Sequence, residues 1–219
     1  MSIVDALTNL DFFKSLNNEQ IQQLSSISTI VNHDKGYILN YEKDLNTKLY
    51  FIINGLAKAY KIDKHENEIF LYYIYKNNMI SEISDIHTDT ITSFSNIELI
   101  EDSIILSINY KSFKDFFINN NILCIELANE VIQRSKQMQT LINREFIFDA
   151  VSKVAMMLDT DLQMFNKLKR HEVSLILHIQ PETLSRVLNR LKRNNVISIV
   201  HGKVLILDNP NLKSIYQEW

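Results

Sequence analysis

The sequence is poor in three residue types: it has one cysteine, three glycines and two prolines among 219 residues. The lone cysteine, Cys124, allows no disulfide within the chain and is typical of a reducing compartment. It also excludes iron–sulfur and structural zinc sites built on several cysteines. The first residues lack the basic start and long apolar run of a signal peptide, and no stretch reaches the roughly 18 apolar residues of a membrane helix. We therefore expect a cytoplasmic protein without membrane contact.

The charge is small overall and unevenly distributed. The net charge is -3, yet residues 1–143 carry 12 Lys and Arg against 18 Asp and Glu, and residues 144–219 carry 11 against 8. Segment 167–193 alone has seven basic and two acidic residues. A sensor joined to a domain that binds a polyanion has this asymmetry, although a solvated basic helix face would also produce it.

Hydrophobic patterning divides the chain into three predicted domains. Residues 1–108 begin with short helical patterns and continue as short runs rich in Ile, Tyr and Phe, which predict a β-sandwich or barrel. Residues 109–148 contain neither Gly nor Pro and have helical periodicity. Residues 149–219 alternate short helices and end in a hairpin, with two strands around His201-Gly202. The predicted fold class is therefore α+β.

A seven-residue repeat runs along segment 109–148. One core position would hold Cys124, Val131 and Met138, and the other would hold Leu127, Arg134, Leu141 and Phe148. Such a seam is typical of helices that pair in a dimer, and the alternative is a long helix resting on its own domain. Three further apolar residues give a second face that could contact the β-domain: Ile125, Ile132 and Ile142.

Residues 169–193 have the pattern of two consecutive helices. The first would bury Val173, Ile176 and Leu177, and the second restarts at Gln180 and Pro181. Proline suits the first position of a helix because its missing N–H would be unpaired there. The second helix has an apolar side, formed by Leu184, Val187, Leu188 and Leu191. Its opposite side is polar and consists of Glu182, Ser185, Arg186, Asn189, Arg190 and Arg193.

Polar side chains of these types read base edges when a helix lies in the major groove of DNA. Arg186 suits a guanine edge, Glu182 can accept from a cytosine amino group, and Ser185 can contact a base or a thymine methyl group. Basic residues outside this face suit phosphates, which position a protein without specifying sequence. The predicted DNA-binding residues are Lys169, Arg170, Gln180, Glu182, Thr183, Ser185, Arg186, Asn189, Arg190 and Lys192. An ordinary amphipathic helix pair is the alternative.

The order of these motifs resembles the Crp/Fnr family, which includes the cyclic-AMP receptor protein and the fumarate–nitrate regulator. Residues 49–60 (LYFIINGLAKAY) resemble the family's β-roll signature, with Gly55 at its turn, and residues 35–39 (KGYIL) resemble the strand before it. Glu172, residues 181–186 (PETLSR) and residues 196–203 resemble its winged helix-turn-helix. The resemblance covers nearly the whole chain. It implies a cyclic-nucleotide-type β-roll sensor (a double-stranded jelly roll), a long dimerisation helix and a winged helix-turn-helix.

The same resemblance implies partners and a target. It implies a homodimer that binds double-stranded DNA and RNA polymerase. Glu182, Ser185 and Arg186 resemble the Fnr-like branch, and this implies a palindrome related to TTGAT-N4-ATCAA. The sequence departs from the pattern at His178, where the turn often has glycine, and at Pro181, which replaces a basic or small residue. Both departures could shift base preference outside the core of the half-site.

The family's nucleotide pocket uses a Gly-Glu pair and, later, an Arg-Ser or Arg-Thr pair. Glu82 matches the glutamate, but residues 77–109 contain no Arg or Lys. A buried phosphate without a cation is costly, so we expect that cyclic AMP does not bind through this site. The cysteines of an Fnr-type cluster are absent as well. The candidate effector pocket consists of Glu82, Ile83, His87 and Phe94.

Some relatives bind haem as gas sensors, so the resemblance leaves haem open as a ligand. Histidine is the usual axial ligand, and His33, His65 and His87 lie in the predicted sensor domain. Their spacing has no metal signature, and a filled core without a ligand is equally consistent with the apolar residues Ile83, Ile86 and Phe94. Cys124 is a candidate thiol switch across the dimer seam, and an inert buried thiol is the alternative.

No pattern of an enzyme is present. The β-rich segment has no His-x-His run of metal ligands, and the chain has no Gly-rich phosphate loop or nucleophile elbow. We predict no metal site and no catalytic residues. The competing function is a signalling or protein-interaction module that has a cyclic-nucleotide-type domain and does not bind DNA. The basic helix pair argues against this alternative.

Overall fold

The structure is a computed structural model that describes residues 1–217. The chain divides into two compact units, Met1–Gln137 and a second that begins at Met138. A long helix, α4 (Cys124–Ile142), runs from the first unit into the second. None of the described helices is long and apolar enough to cross a membrane.

The first unit begins with two short helices and continues into a set of antiparallel strands. The helices are α1 (Ile3–Thr8) and α2 (Asn18–Ser26), and each begins with a reciprocal capping box, at Ser2 and at Asn17. The strands are β1 (Ser28–His33), β2 (Ile38–Asn40), β3 (Leu45–Asn46), β4 (Lys48–Asn54), β5 (Leu56–Ile62), β6 (Glu68–Tyr75), β7 (Asn78–Met79), β8 (Ile91–Thr92), β9 (Asn96–Leu99) and β10 (Ser103–Asn109).

These strands form two four-stranded sheets, with strand orders β1-β10-β4-β7 and β2-β9-β5-β6, and a small ribbon of β3 and β8. Strands β4 and β5 are consecutive but belong to different sheets, so the turn at Gly55 carries the chain from one sheet to the other. Gly55 has a φ of +104, and a Cβ there would lie 2.9 Å from the carbonyl oxygen of Asp102. The turn therefore requires glycine. The predicted two-sheet β-domain is confirmed.

Two clusters of buried side chains hold the β-domain together. One lies where the N-terminal helices meet the first sheet and is rich in aromatic contacts, with Phe12 and Phe13 within 5.4 Å of the Phe51 ring centre. The other lies between the sheets and is mainly aliphatic, with Ile52, Ile80 and Ile105 almost fully buried. Together they fix the strands that carry the candidate sensor residues.

The segment predicted as one helix, residues 109–148, contains two α-helices. Helix α3 (Tyr110–Phe116) ends before Asn121 and Leu123, which have φ values of 60 and 64, and α4 begins at Cys124. The long helix is therefore shorter than we predicted. No Gly or Pro marks the break, because asparagine adopts left-handed backbone more easily than most residues. A π-turn (Asn143–Ile147) follows α4, and Phe148 is extended.

The second unit contains five helices and a hairpin within its described residues. They are α5 (Ala150–Thr160), α6 (Leu162–Lys167), α7 (Arg170–Ile176), α8 (Pro181–Arg193), β11 (Ile197–Val200), β12 (Lys203–Ile206) and α9 (Asn209–Gln217). Helix α5 is the central element, since Val154, Ala155 and Leu158 are fully buried. The hairpin turn at His201 and Gly202 has φ values of 48 and 79, as the predicted two-residue turn requires.

Candidate nucleic-acid interface and sensor site

Helices α7 and α8 form the predicted helix pair. Helix α7 ends at Ile176 with Leu177 as its C-cap, His178 takes a left-handed conformation with a φ of 50, and Gln180 caps α8 with Pro181 in its first turn. Val173 and Leu177 are buried, and Ile176 is half-buried. The turn between the helices therefore uses backbone geometry that glycine adopts more easily than histidine.

Helix α8 divides by burial as its sequence predicts. Leu184, Val187, Leu188 and Leu191 are at most 5% exposed, which fixes the helix on its domain. On the opposite side Glu182, Ser185, Arg186, Asn189, Arg190 and Arg193 are all exposed. Within residues 1–217 the side chains of Glu182, Ser185 and Arg186 bond to no other protein group. This face is rigidly placed and its donors and acceptors are free for an external partner.

The other predicted DNA contacts surround this face. Lys169, Gln180 and Lys192 are exposed, while Thr183 is half-buried. The backbone N–H of Ser152 donates to Asp149 at the start of α5 and is the main cause of the lowered pKa of Asp149. The positive charge of Arg190 on α8 lowers this pKa further. The exposed basic residues thus flank the polar side of α8.

Arg170 has a different role from the one we predicted. Its Nη2 donates to the carbonyl oxygen of Gly202 over 2.9 Å, and its guanidinium lies 4.8 Å from the ring centre of Phe165. Burial lowers the pKa of Arg170. The side chain ties the start of α7 to the hairpin turn, so the prediction of a free phosphate contact needs correction. This tertiary contact spans 32 residues and leaves no signal in the local sequence.

Sequence reasoning also missed Asn166. Its side chain bonds twice to Val204 of strand β12: Nδ2 donates to the carbonyl oxygen over 2.9 Å, and Oδ1 accepts from the backbone N–H over 2.7 Å. Asn166 therefore holds the hairpin as a fixed wing beside α8. A single asparagine in a helix forms no sequence pattern from which this contact could be predicted.

The glutamate of the candidate sensor pocket is already bonded within the chain. The Tyr72 hydroxyl donates to Oε1 of Glu82, and the backbone N–H of Phe94 donates to Oε2 over 3.2 Å. Burial raises the pKa of Tyr72, with the Glu82 charge adding to the effect, so this phenol stays protonated and remains a donor. Both oxygens of Glu82 are engaged without a ligand.

Two family models match the chain, in the order that this architecture suggests. Residues 30–120 match the cyclic nucleotide-binding domain, and residues 154–215 match the Crp-like helix-turn-helix domain. The chain belongs to the Crp/Fnr family of transcriptional regulators. As a member of this family it is a DNA-binding regulator and not an enzyme, and the Crp-like helix-turn-helix opposes the alternative of a module that does not bind DNA.

Solved structures share the fold at low sequence identity. A CooA mutant from Carboxydothermus hydrogenoformans has a TM-score of 0.73 at 19% identity, covering 95% of this chain and 96% of that one. FixK2 from Bradyrhizobium japonicum has a TM-score of 0.69 at 14% identity, covering 87% and 98%. A Crp/Fnr-family regulator from Eubacterium rectale has a TM-score of 0.64 at 18% identity, covering 94% and 97%. No curated protein matches the chain by sequence.

Crp/Fnr regulators are typically dimeric, and α4 is the helix on which we predicted the dimer seam. Leu127 packs against the core of the β-domain, and Arg134 donates to the carbonyl oxygen of Met79 over 2.6 Å. Leu141 is half-buried. Our prediction placed Leu127, Arg134 and Leu141 in the seam. The first two instead face the β-domain, because Leu127 completes its core and Arg134 finds acceptors there.

The neighbouring side of α4 is exposed and apolar. Val131 and Met138 are 54% and 57% exposed, in agreement with a place in the seam, and Cys124 is half-buried with its thiol 3.7 Å from the carbonyl oxygen of Ile118. Ile125 and Ile132 are 75% and 50% exposed. Our expectation that the face with Ile125, Ile132 and Ile142 rests on the β-domain is therefore wrong.

The residues considered for haem are mostly exposed. His87 is exposed in a loop, Phe94 and Ile86 are about half exposed, and Ile83 packs against the core. His33 stacks on Tyr37 with ring centres 4.1 Å apart, and His65 is exposed. These histidines do not fit an axial ligand enclosed by apolar side chains. Residues 1–217 also contain no group of three or more His, Cys, Asp or Glu that could hold a metal ion.

Proposed function

We propose that this regulator acts as a homodimer and reads a palindrome related to TTGAT-N4-ATCAA with one α8 helix in the major groove of each half-site. The observation that carries the proposal is the exposed, unbonded face of Glu182, Ser185 and Arg186 on a helix whose other side is fully buried. Arg186 would bind a guanine edge through two parallel hydrogen bonds, and Glu182 would accept from a cytosine amino group. Ser185 would contact a base or a thymine methyl group.

Contacts to the DNA backbone would surround this reading face. Lys169 and Lys192 are exposed and suit phosphates, and Asn189 and Arg190 lie on the same side of α8. Gln180 and Thr183 lie in the cap and first turn of α8, where backbone N–H groups and the helix dipole favour an anion. Arg170 would contribute indirectly, since it holds the wing through Gly202.

The exposed face of α4 supports the homodimer. We define the α4 stripe as Ile125, Ala128, Val131, Ile132, Ser135, Met138 and Ile142, all of which are exposed. From Cys124 the sequence positions 128, 131, 135, 138 and 142 follow at alternating steps of four and three, the spacing of a coiled-coil seam. An apolar stripe of this length on a single helix is buried when a second copy pairs with it. The proposed seam therefore replaces Leu127 and Arg134 with Ala128 and Ser135.

A regulator bound beside a promoter acts on the transcription machinery. We therefore include RNA polymerase as a proposed partner, on the ground of family membership alone. No residue of the described chain is assigned to that contact.

The proposal predicts selective binding in an electrophoretic mobility assay. The protein should retard the TTGAT-type palindrome at concentrations at which a scrambled duplex of equal composition stays free, since specific sites bind about 10³-fold or more tightly than nonspecific DNA. A duplex that keeps one half-site should bind much more weakly than the palindrome, because the two half-sites act together. If neither full-length duplex is retarded at low salt, the proposal is wrong.

The sensor should not bind cyclic AMP through the family's site. Residues 77–109 supply no Arg or Lys for the phosphate, and Tyr72 and the Phe94 N–H occupy Glu82. Titration calorimetry with cyclic AMP should give no binding tighter than about millimolar, because a desolvated phosphate without a cation is costly. The matched variant Tyr72→Phe frees one oxygen of Glu82 and should also show no binding, since residues 77–109 still offer no cation and the nearby Arg134 guanidinium donates to the carbonyl oxygens of Met79 and Ile80. Micromolar binding by the wild type would contradict this interpretation.

A further inference from the structure

The turn between α7 and α8 is bonded to the π-turn that follows α4. His178, the left-handed residue of that turn, has its Nδ1 2.7 Å from Oε2 of Glu145. A carboxylate only accepts hydrogen bonds, so Nδ1 carries the proton and donates. Glu145 lies 33 residues earlier, in the π-turn Asn143–Ile147. Both residues belong to the second unit of the chain.

Glu145 is held from its other side as well. Nε of Arg144 donates to Oε1 of Glu145 over 2.7 Å, and the Arg144 side chain is only 8% exposed. Partial burial alone would raise the pKa of Glu145, but the hydrogen bonds from His178 and Arg144 outweigh it and lower this pKa. Each oxygen of the carboxylate therefore has its own donor, and the side chain has a single well-defined position.

The left-handed backbone at His178 indicates that its bond to Glu145 has a specific role. A φ of 50 disfavours any residue with a Cβ, and glycine would adopt it without strain. Histidine at this position strains the turn, and the bond to Glu145 is the one side-chain hydrogen bond that the described residues give it. Pro181, the first residue of α8, follows three positions later.

We infer that Glu145 and His178 are a positioning pair, which holds the start of the reading helix α8 against the π-turn at the end of α4. The core contacts of Leu184 and Leu188 keep α8 on its domain, and the pair adds a restraint at its N-terminal end, next to Glu182 and Ser185. A restraint of this kind favours the binding-competent orientation and so raises affinity for a specific site. The inference rests on the proposed reading of DNA by α8.

The decisive variant is His178→Gly, because it removes the bond and the backbone strain together. A purely structural role predicts no loss of DNA binding from this change, since glycine suits the turn. A positioning role predicts about a 3- to 10-fold loss of affinity for the specific site with the melting temperature unchanged or raised. Nonspecific DNA should bind as before. Asn195→Gly is the matched control: Asn195 also has a left-handed φ, 56, and its side chain has no bond within residues 1–217.

Variants of Glu145 complete the test. Glu145→Gln keeps an oxygen that accepts from His178 and should retain most of the affinity, whereas Glu145→Ala should match His178→Gly. The double variant His178→Gly with Glu145→Ala should be no weaker than either single variant, because both remove the same interaction. Affinities are measured by fluorescence anisotropy on the site that the wild type selects from randomised DNA, so the comparison holds whichever sequence it prefers.

The possible results separate the two proposals. Failure of the proposed function would appear in the wild type, as a selection that yields no sequence. Failure of this inference appears only in the variants: full specific affinity in His178→Gly, or additive losses in the double variant, would overturn it. A loss shared equally by Asn195→Gly would overturn it too, since that residue has no carboxylate partner.

Discussion

Replacing Arg186 with alanine should weaken binding to the cognate palindrome by about 2–6 kcal/mol, because each of two half-sites loses about 1–3 kcal/mol. The guanidinium is exposed on the polar side of α8 and has no partner within residues 1–217, so its removal leaves the domain intact. Its proposed contact is a base edge. We therefore expect the variant to lose selectivity at one position of each half-site, measured by anisotropy on palindromes that carry each of the four bases there.

Lys192→Ala is the comparison that separates a loss of base selectivity from a general loss of DNA affinity. Lys192 is exposed on the same helix, beyond the residues that would read bases, and suits a phosphate. Its loss should weaken cognate and scrambled DNA alike and reduce the salt dependence by about one ion per subunit. If Arg186→Ala and Lys192→Ala change specificity to the same extent, the division between reading and positioning residues is wrong.

The two faces of α8 could be predicted because they depend on local rules. A period of 3.6 residues separates Leu184, Val187, Leu188 and Leu191 from the polar side, and Pro181 marks where the helix begins. The hairpin turn at His201 and Gly202 depends on two residues that accept positive φ. In each case the residues that set the structure are neighbours in the sequence.

Contacts between distant elements could not be predicted in the same way. The bond from Arg170 to Gly202 exists because α7 and the wing meet in space, and local charge alone favoured a phosphate contact. Glu82 fits the family's pattern, yet its partner Tyr72 lies on another strand and is recognised only once β6 is placed. The break at Asn121 and Leu123 likewise needs the surrounding fold to hold left-handed backbone.

The faces of α4 illustrate a further limit of sequence patterns. The helix has one apolar stripe toward its own β-domain and another toward solvent, and a seven-residue repeat fits both. Arg134 decides between them, because a guanidinium that donates to Met79 and lies 5.4 Å from the Tyr72 ring centre belongs to the inner face. The outer face is then left for a second copy of the chain. It also follows that α4 contacts the sensor domain on one side and would form the proposed dimer seam on the neighbouring side.

Placing a charge in the α4 stripe should therefore separate the proposed homodimer. In Val131→Asp, a carboxylate would face its symmetry mate in the seam, where burial of unpaired charge costs at least about 3 kcal/mol. The valine is 54% exposed in the single chain, so the fold of each subunit should survive. We expect a monomer by sedimentation at concentrations where the wild type is a dimer. Affinity for the palindrome should fall by about 10²- to 10⁴-fold, since the two half-sites no longer bind as one unit.

Gln133→Asp provides the matched control for this change. Gln133 lies two residues after Val131, about 160° away around the helix and outside the α4 stripe, and is also exposed. The same carboxylate there should leave both the mass and the palindrome affinity close to those of the wild type. A Val131→Asp protein that stays dimeric would move the seam elsewhere. One that becomes monomeric yet binds the palindrome at full affinity would mean that α8 reads DNA as a single copy, against the two-fold target proposed for this regulator.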